Sequence, residues 1–251
     1  MVSDMTPDIE ATLKSLKVNG FGAHYVRDRT EARELMLKMI PSGASIGVGD
    51  SATVRQTAIL EELIKRGNNV TNPFTRELTI GILEDPAKSR LFSQTVRRTL
   101  GTDVFLTSCN AVTQDGKLVS VDRVGNRVAG TIFGAEKVIL PVGRNKIVKD
   151  VAQAIDRIKN VLAPAHARRK KYGTPCTVKG ECTDCRSPER ICNITVILER
   201  KPLLTDLSVI LINEDLGLGW APDWDEKRVS AIESAYYENT WSFKRHGQNG
   251  E

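Results

Sequence analysis

Apolar positions recur at helical spacing near the start of the chain. Ile9, Leu13 and Leu16 share one face of a helix over 8–17, and Ala32, Leu35, Met36 and Met39 share one over 30–39. Thr30 is expected to cap the second helix, with Glu31 and Glu34 in its first turn and Pro41-Ser42-Gly43 ending it. A short apolar run at 46–48 predicts a strand, followed by a Gly-containing turn and a helix over 53–66 that Gly67 stops. Val70 marks a further short strand. A helix over 87–100 turns Leu91, Phe92, Val96 and Leu100 inward. It leads into a strand from 104 that continues through SCNAVT to the turn Gln114-Asp115-Gly116, with 118–122 as its hairpin partner. KVILPV at 137–142 reads as a buried strand, 147–161 as a helix on Ile147, Val151, Ile155 and Ile158, and 207–212 as the last strong strand. The tail from Asp223 predicts a helix carrying Val229, Ile232 and Tyr236 before a polar end that is expected to fray.

Strands alternating with helices of this length predict an α/β fold with a mostly parallel sheet, made mixed by the hairpin near Gly116. Composition adds little to that picture. The chain has 251 residues, enough for one large domain or two small ones, and no internal repeat. Its 36 Lys and Arg against 31 Asp and Glu leave a net charge of +5, a mild excess that permits anionic ligands without demanding nucleic acid. Arg168-Arg169-Lys170-Lys171 reads as a solvated face, with no interleaved aromatics to suggest nucleic-acid binding. The N-terminus has no signal-peptide pattern and no window is apolar enough for a membrane span, so a cytoplasmic protein is expected.

Three strand-end segments carry candidate chemistry. Gly47-Val48-Gly49-Asp50-Ser51-Ala52-Thr53 lies between a strand and a helix, where free N–H groups favour an anion, with hydroxyls on Ser51 and Thr53 and charge on Arg55. It lacks the lysine of a P-loop, and the following strand lacks the acid of a dinucleotide site. A tight turn before a capped helix needs the same residues. Asn110, Asp122, Asn126 and Arg127 form the second polar group, with Asp122 as a candidate base and Arg127 as a bidentate clamp for carboxylate or phosphate. Turn chemistry accounts for Asp115-Gly116 and Gly125-Asn126 equally, and Cys109 reads as a small core residue. The third segment is Gly143-Arg144-Asn145-Lys146, in which Lys146 is a cation for an acidic ligand and the second candidate catalytic residue. His24, His166 and His246 fit no motif and read as surface or satisfied histidines.

The strongest signal is the spacing of Cys176, Cys182, Cys185 and Cys192, four of five cysteines within one Gly- and Pro-bearing stretch. Four thiolates so placed suit one soft metal centre, either a [4Fe–4S] cluster or a closed zinc site, and the spacing alone does not choose. Lys179, Arg186 and Arg190 among them would stabilise an anionic centre.

The blocks GVGDSATVRQ, TDVFLTSCNAVTQDGKLVSVD, GNRVAGTIFGAEKVILPVGRNKIVKD and PCTVKGECTDCRSPERIC, in that order, resemble the LUD-domain (lactate-utilisation) family over roughly 8–218. The resemblance implies a three-layer α/β sandwich like that of the NagB/RpiA/CoA-transferase group. It divides the chain into an α/β LUD domain at 1–162 and 203–220, a cysteine-rich metal-binding module at 163–202 and a helical tail at 221–251. Family members accompany iron–sulfur oxidoreductase subunits in oxidising lactate to pyruvate. The function expected is therefore an iron–sulfur component of a 2-hydroxy-acid utilisation system. Its substrate would be a small anionic carboxylate or phosphate, and a homodimer is expected, with the tail as a contact. A non-redox isomerase, lyase or acyl-transfer enzyme with a structural or Lewis-acidic metal is the alternative. A ligand-binding or redox-sensing module is a third reading.

Overall fold

The computed structural model describes residues 5–244. Its frame is a six-stranded, wholly parallel sheet. The order is β1 (Gly22–Val26), β10 (Asp206–Ile212), β7 (Lys137–Gly143), β4 (Val104–Leu106), β2 (Ser45–Val48) and β3 (Asn69–Thr71). The two central strands β10 and β7 are near-continuous apolar runs, as strands covered on both faces require. A second sheet orders β8 (Ile147–Val148), β5 (Ala111–Thr113), β6 (Leu118–Asp122) and β9 (Ile194–Leu198).

One face of the large sheet packs Ile46, Leu106, Ile139 and Ile210 against Met36 of the helix Arg29–Met39 and Leu63 of the helix Ile59–Lys65. The other face packs Phe105, Val138 and Val209 against Ile9 and Leu16 of the helix Pro7–Val18 and against Val112 and Leu118 of the small sheet. Beyond the small sheet lie the helix Val151–Arg157, a π turn over Ile158–Leu162 and the helix Ala163–Lys170, which share a third core with Tyr236. The expected three-layer α/β sandwich is thus present. No helix among the described residues is long and apolar enough to cross a membrane.

The departures from expectation have local causes. The strand beginning at 104 does not run on to the hairpin. It ends at Leu106, and 107–110 carries the chain from one sheet into the other, which leaves the large sheet free of antiparallel pairs. The hairpin itself forms, with Gly116 at φ +80° against the backbone of Ser15, where a Cβ would collide. The helix expected over 53–66 is two helices, Ala52–Gln56 and Ile59–Lys65, broken at Ala58 with φ +53°. Asp28, not Thr30, caps Arg29–Met39, its carboxylate accepting from the N–H groups of Thr30 and Glu31. Leu91 is exposed rather than inward. Ile147 lies in β8, so the following helix starts only at Val151. β1, β9 and the helix Asn126–Ile132 carry too weak a pattern to have been read. β1 opens on glycine at a sheet edge, and β9 alternates half-buried and exposed positions.

The interval 163–202 supplies two elements to the main body, the helix Ala163–Lys170 and β9, with the cysteines on the chain between them. The tail, expected as a dimer contact, packs Ile232 and Tyr236 of the helix Glu226–Glu238 inward on its own chain. His246 and the polar end beyond Lys244 lie outside the described residues.

Candidate functional site

At the carboxyl ends of β2, β4 and β7 the chain encloses a cavity of about 450 Å³, where open parallel sheets present their loops to ligands. Asp50, Ser51, Thr53 and Arg55 enter it from the β2 end, Asn110 and Asp122 from the small sheet, and Asn126, Arg127 and Lys146 from the segments that follow. Nine of the thirteen residues picked out beside the cysteines therefore meet around one space. Gly47, Gly49, Gly143 and Asn145 do not line it. A Cβ on Gly47 would stand 2.2 Å from the Thr99 carbonyl oxygen, and one on Gly49 2.7 Å from Thr107 Oγ1. The Gly49 N–H donates to the Leu106 carbonyl rather than facing a ligand. Gly143 packs against Leu216 N, and the fully buried Asn145 joins two loops, its Nδ2 donating to Gly219 O and its Oδ1 accepting from Leu216 N.

Lys146 is the most unusual group. It is 5% exposed, and its Nζ donates to Thr53 Oγ1 at 2.8 Å, Ser108 Oγ at 2.9 Å and the Cys109 carbonyl at 3.1 Å, all neutral acceptors. Burial pushes its pKa down to about 8, with Arg127 adding to the fall. Gly217, at φ +70°, lets the loop after β10 lie directly on this ammonium. Burial also pushes the neighbouring Cys109 thiol up, so Cys109 is protonated at neutral pH.

Arg127 is both wall and fastener. Its guanidinium donates to the carbonyls of Ser108 and Val121 and to Asn110 Oδ1, which also accepts from Val121 N. The Asp122 carboxylate accepts from the N–H groups of Val124, Arg127 and Val128, so it ties down the first turn of the helix Asn126–Ile132. Nδ2 of Asn126 is buried without a hydrogen-bond partner. Ser51 likewise closes a helix start, its Oγ accepting from Val54 N.

A second polar group was not legible as a site. Lys170, within the run expected to be solvated, is 3% exposed, and with His166 one turn earlier it faces the cavity. His166 Nδ1 and the Tyr236 hydroxyl share a hydrogen bond, and burial beside Lys170 pushes His166 down to about 3. Burial lowers Lys170 to about 8, against the opposing pull of Asp50 at 3.9 Å. Burial alone would raise Asp50, but Arg55 at 2.8 Å and Lys170 hold it well below the usual carboxylate range. The i, i+4 spacing of His166 and Lys170, among the buried Ala163 and Ala167, was the available signal. The cavity is thus lined by the cations Arg55, Arg123, Arg127, Lys146 and Lys170 against only Asp50 and Asp122, with His166 neutral. Such a lining attracts a small anion.

The cysteine segment flanks this space. Tyr172 and Ile191 line the cavity, and the Arg123 guanidinium stacks over the Tyr172 ring at 4.9 Å. Cys176, Cys182, Cys185 and Cys192 are free, half-buried thiols. Arg190 donates to the carbonyls of Cys185 and Cys192, and burial pushes the Cys192 thiol up against the opposing effect of Arg190, with Cys182 and Cys185 adding to the rise. Among the described residues no group of three or more His, Cys, Asp or Glu is arranged to hold a metal ion. By donor chemistry the set still fits a soft metal: four thiols on one short segment, three of them within electrostatic reach of one another.

Residues 9–212 match the family model described as the LUD domain. No curated protein matches the chain. Among solved structures the chain is similar to a DUF162 family protein from Deinococcus radiodurans, at 13% identity and a TM-score of 0.44, over 82% of this chain and 96% of that one.

Proposed function

Since the chain belongs to the LUD-domain family, whose name denotes lactate utilisation, we propose that it serves a 2-hydroxy-acid oxidation system in the cytoplasm. In this reading it binds a lactate-type carboxylate in the cavity and works, as a homodimer, beside iron–sulfur oxidoreductase subunits. The observation that carries the anion-binding part is the excess of cations around the strand-end cavity. Arg127 and the unpartnered Nδ2 of Asn126 hold the carboxylate, and Lys146 supplies a charge whose pKa near 8 also suits proton transfer at neutral pH. Asp122, the other candidate base, has its carboxylate engaged by three backbone N–H groups and acts by positioning Arg127.

A [4Fe–4S] cluster on Cys176, Cys182, Cys185 and Cys192, when bound, would supply one-electron transfer at the edge of the cavity. Zinc on the same thiolates would be a structural clip. Anaerobic purification with iron, sulfide and zinc analysis separates the two. About four irons and four sulfides, lost in C185S, and bleaching by lactate in the presence of the partner subunits are expected. One zinc without colour overturns the cluster, and no lactate binding by calorimetry overturns the substrate.

The buried Lys146 and the His166–Tyr236 pair, which line the same cavity, favour a second reading, a non-redox isomerase, lyase or acyl-transfer enzyme acting on a small anion. Turnover of such an anion without any electron acceptor would decide for it.

A further inference from the structure

An acid as small as lactate occupies only a fraction of a 450 Å³ cavity, a volume in the range that holds drug-sized ligands. Much of the remaining lining is apolar. Phe74, Ile82, Leu83, Phe92 and Phe243 form one side of the space, and none of them belongs to the three buried cores of the molecule. Phe74 and Phe92 meet edge to face at 5.7 Å and 81°, and Phe92 and Phe243 meet at 6.3 Å and 66°. Leu83, at the rim, is 59% exposed. At the junction with the polar side, Lys170 Nζ lies 4.0 Å from the Phe243 ring centroid and 3.9 Å from Asp50. The cavity therefore has two ends of different chemistry. One offers fixed cations beside the buried, unpartnered Asn126 amide, and the other offers aromatic faces and edges, with Lys170 over the Phe243 ring where the two meet.

We infer that the cavity takes a 2-hydroxy carboxylate bearing an aromatic side chain, its acid at the Arg127–Lys146 end and its ring among Phe74, Phe92 and Phe243. The inference rests on the anion-binding reading above and adds the substrate class to it. Aromatic rings gain from edge-to-face packing beyond the area they bury, and the existing pairs already adopt that geometry. The ring also covers the exposed Leu83 side chain.

The test is calorimetric titration of the full chain with L-lactate and with L-3-phenyllactate. Phenyllactate is expected to bind at least roughly tenfold more tightly, the effect of burying one ring. F92A is expected to reduce that preference several-fold, and F92L, which keeps an apolar side chain at this half-buried helical position, to reduce it less. Equal affinity for the two acids, or tighter binding of lactate, overturns the aromatic inference and leaves the anion-binding reading intact. A preference that survives in both folded variants overturns the placement of the ring. If neither acid binds, the anion-binding reading falls and this inference falls with it.

Discussion

A buried lysine with only neutral partners must lose either its charge or its solvation, and Lys146 shows the compromise: three hydrogen bonds and a pKa near 8. The folded protein holds this proton less tightly than the unfolded chain, whose lysine titrates near 10.5. Burying the ammonium therefore destabilises the fold at neutral pH, and stability rises as the amine forms between about pH 8 and 10.5. Anion affinity runs the other way, since the ammonium attracts the ligand and the amine does not. Affinity for lactate should fall as pH rises through about 8, and K146Q should weaken binding roughly tenfold at neutral pH, as loss of a charge-assisted hydrogen bond implies. Lys170 titrates in the same window, so the profile should flatten fully only in the K146Q/K170Q double variant, measured by calorimetry across that range. Loss of the pH dependence in K146Q alone would show that Lys170 does not face the ligand, and its loss in K170Q alone would show that Lys146 does not. Lys146 was visible in the sequence because it follows an apolar strand, whereas Lys170 was hidden inside a run of four cations. Charge runs signal solvent on average. Only the helix phase, which puts Lys170 on the face of Ala163 and Ala167, distinguishes the one member that is fully buried.

Elements reach the site through their ends, and the residues that fix those ends resemble catalytic groups in sequence. Asp122 is the clearest case. Three N–H groups converge on its carboxylate, so D122N leaves at least one of them poorly satisfied and should cost about 1–2 kcal/mol, read as a lowered midpoint in urea. Lactate binding should weaken with it, because Arg127 follows the helix start; unchanged stability with lost turnover would instead mark Asp122 as a base. Gly47 makes the same point for backbone. G47A drives a Cβ into the Thr99 carbonyl and Thr102 Oγ1 and should destabilise by about 1–3 kcal/mol, although the residue touches no ligand. The apolar runs of β7 and β10 made the central strands readable, because strands buried on both faces need no partner pattern to be recognised. Whether the hairpin joined that sheet or left it was not readable. The choice is made by Thr107–Asn110, whose residues bond to both sheets: Ser108 Oγ donates to Pro141 O in β7, and Asn110 N donates to Val119 O in β6. Long-range partners of this kind leave no local signature.

At the scale of the whole molecule, the cavity is closed by segments distant in sequence, and the tail holds them together. Arg55 donates to the Asn239 carbonyl at 2.7 Å, and its guanidinium lies 5.1 Å from the Trp241 ring centroid. Trp241 Nε1 donates to Thr79 Oγ1, Gly81 N to the Phe243 carbonyl, and Ser242 Oγ to the Lys170 carbonyl. Lys244 pairs with Glu189, which also accepts from Gly173 N, so the same short strap fastens the cysteine segment. Removing it should release three walls at once without entering the sheets, since 239–244 supplies none of their strands. A chain ending after Glu238 should keep β7 and β10 as slow to exchange their amide hydrogens as before, while 76–82 and 163–170 lose protection. Lactate should then bind at least roughly tenfold more weakly, chiefly through faster dissociation, because an opened cavity readmits water to charges that act most strongly when it is excluded. Protection lost throughout the large sheet would mean that the strap is part of the folding unit. Protection and affinity both unchanged would mean that the cavity walls stand without it.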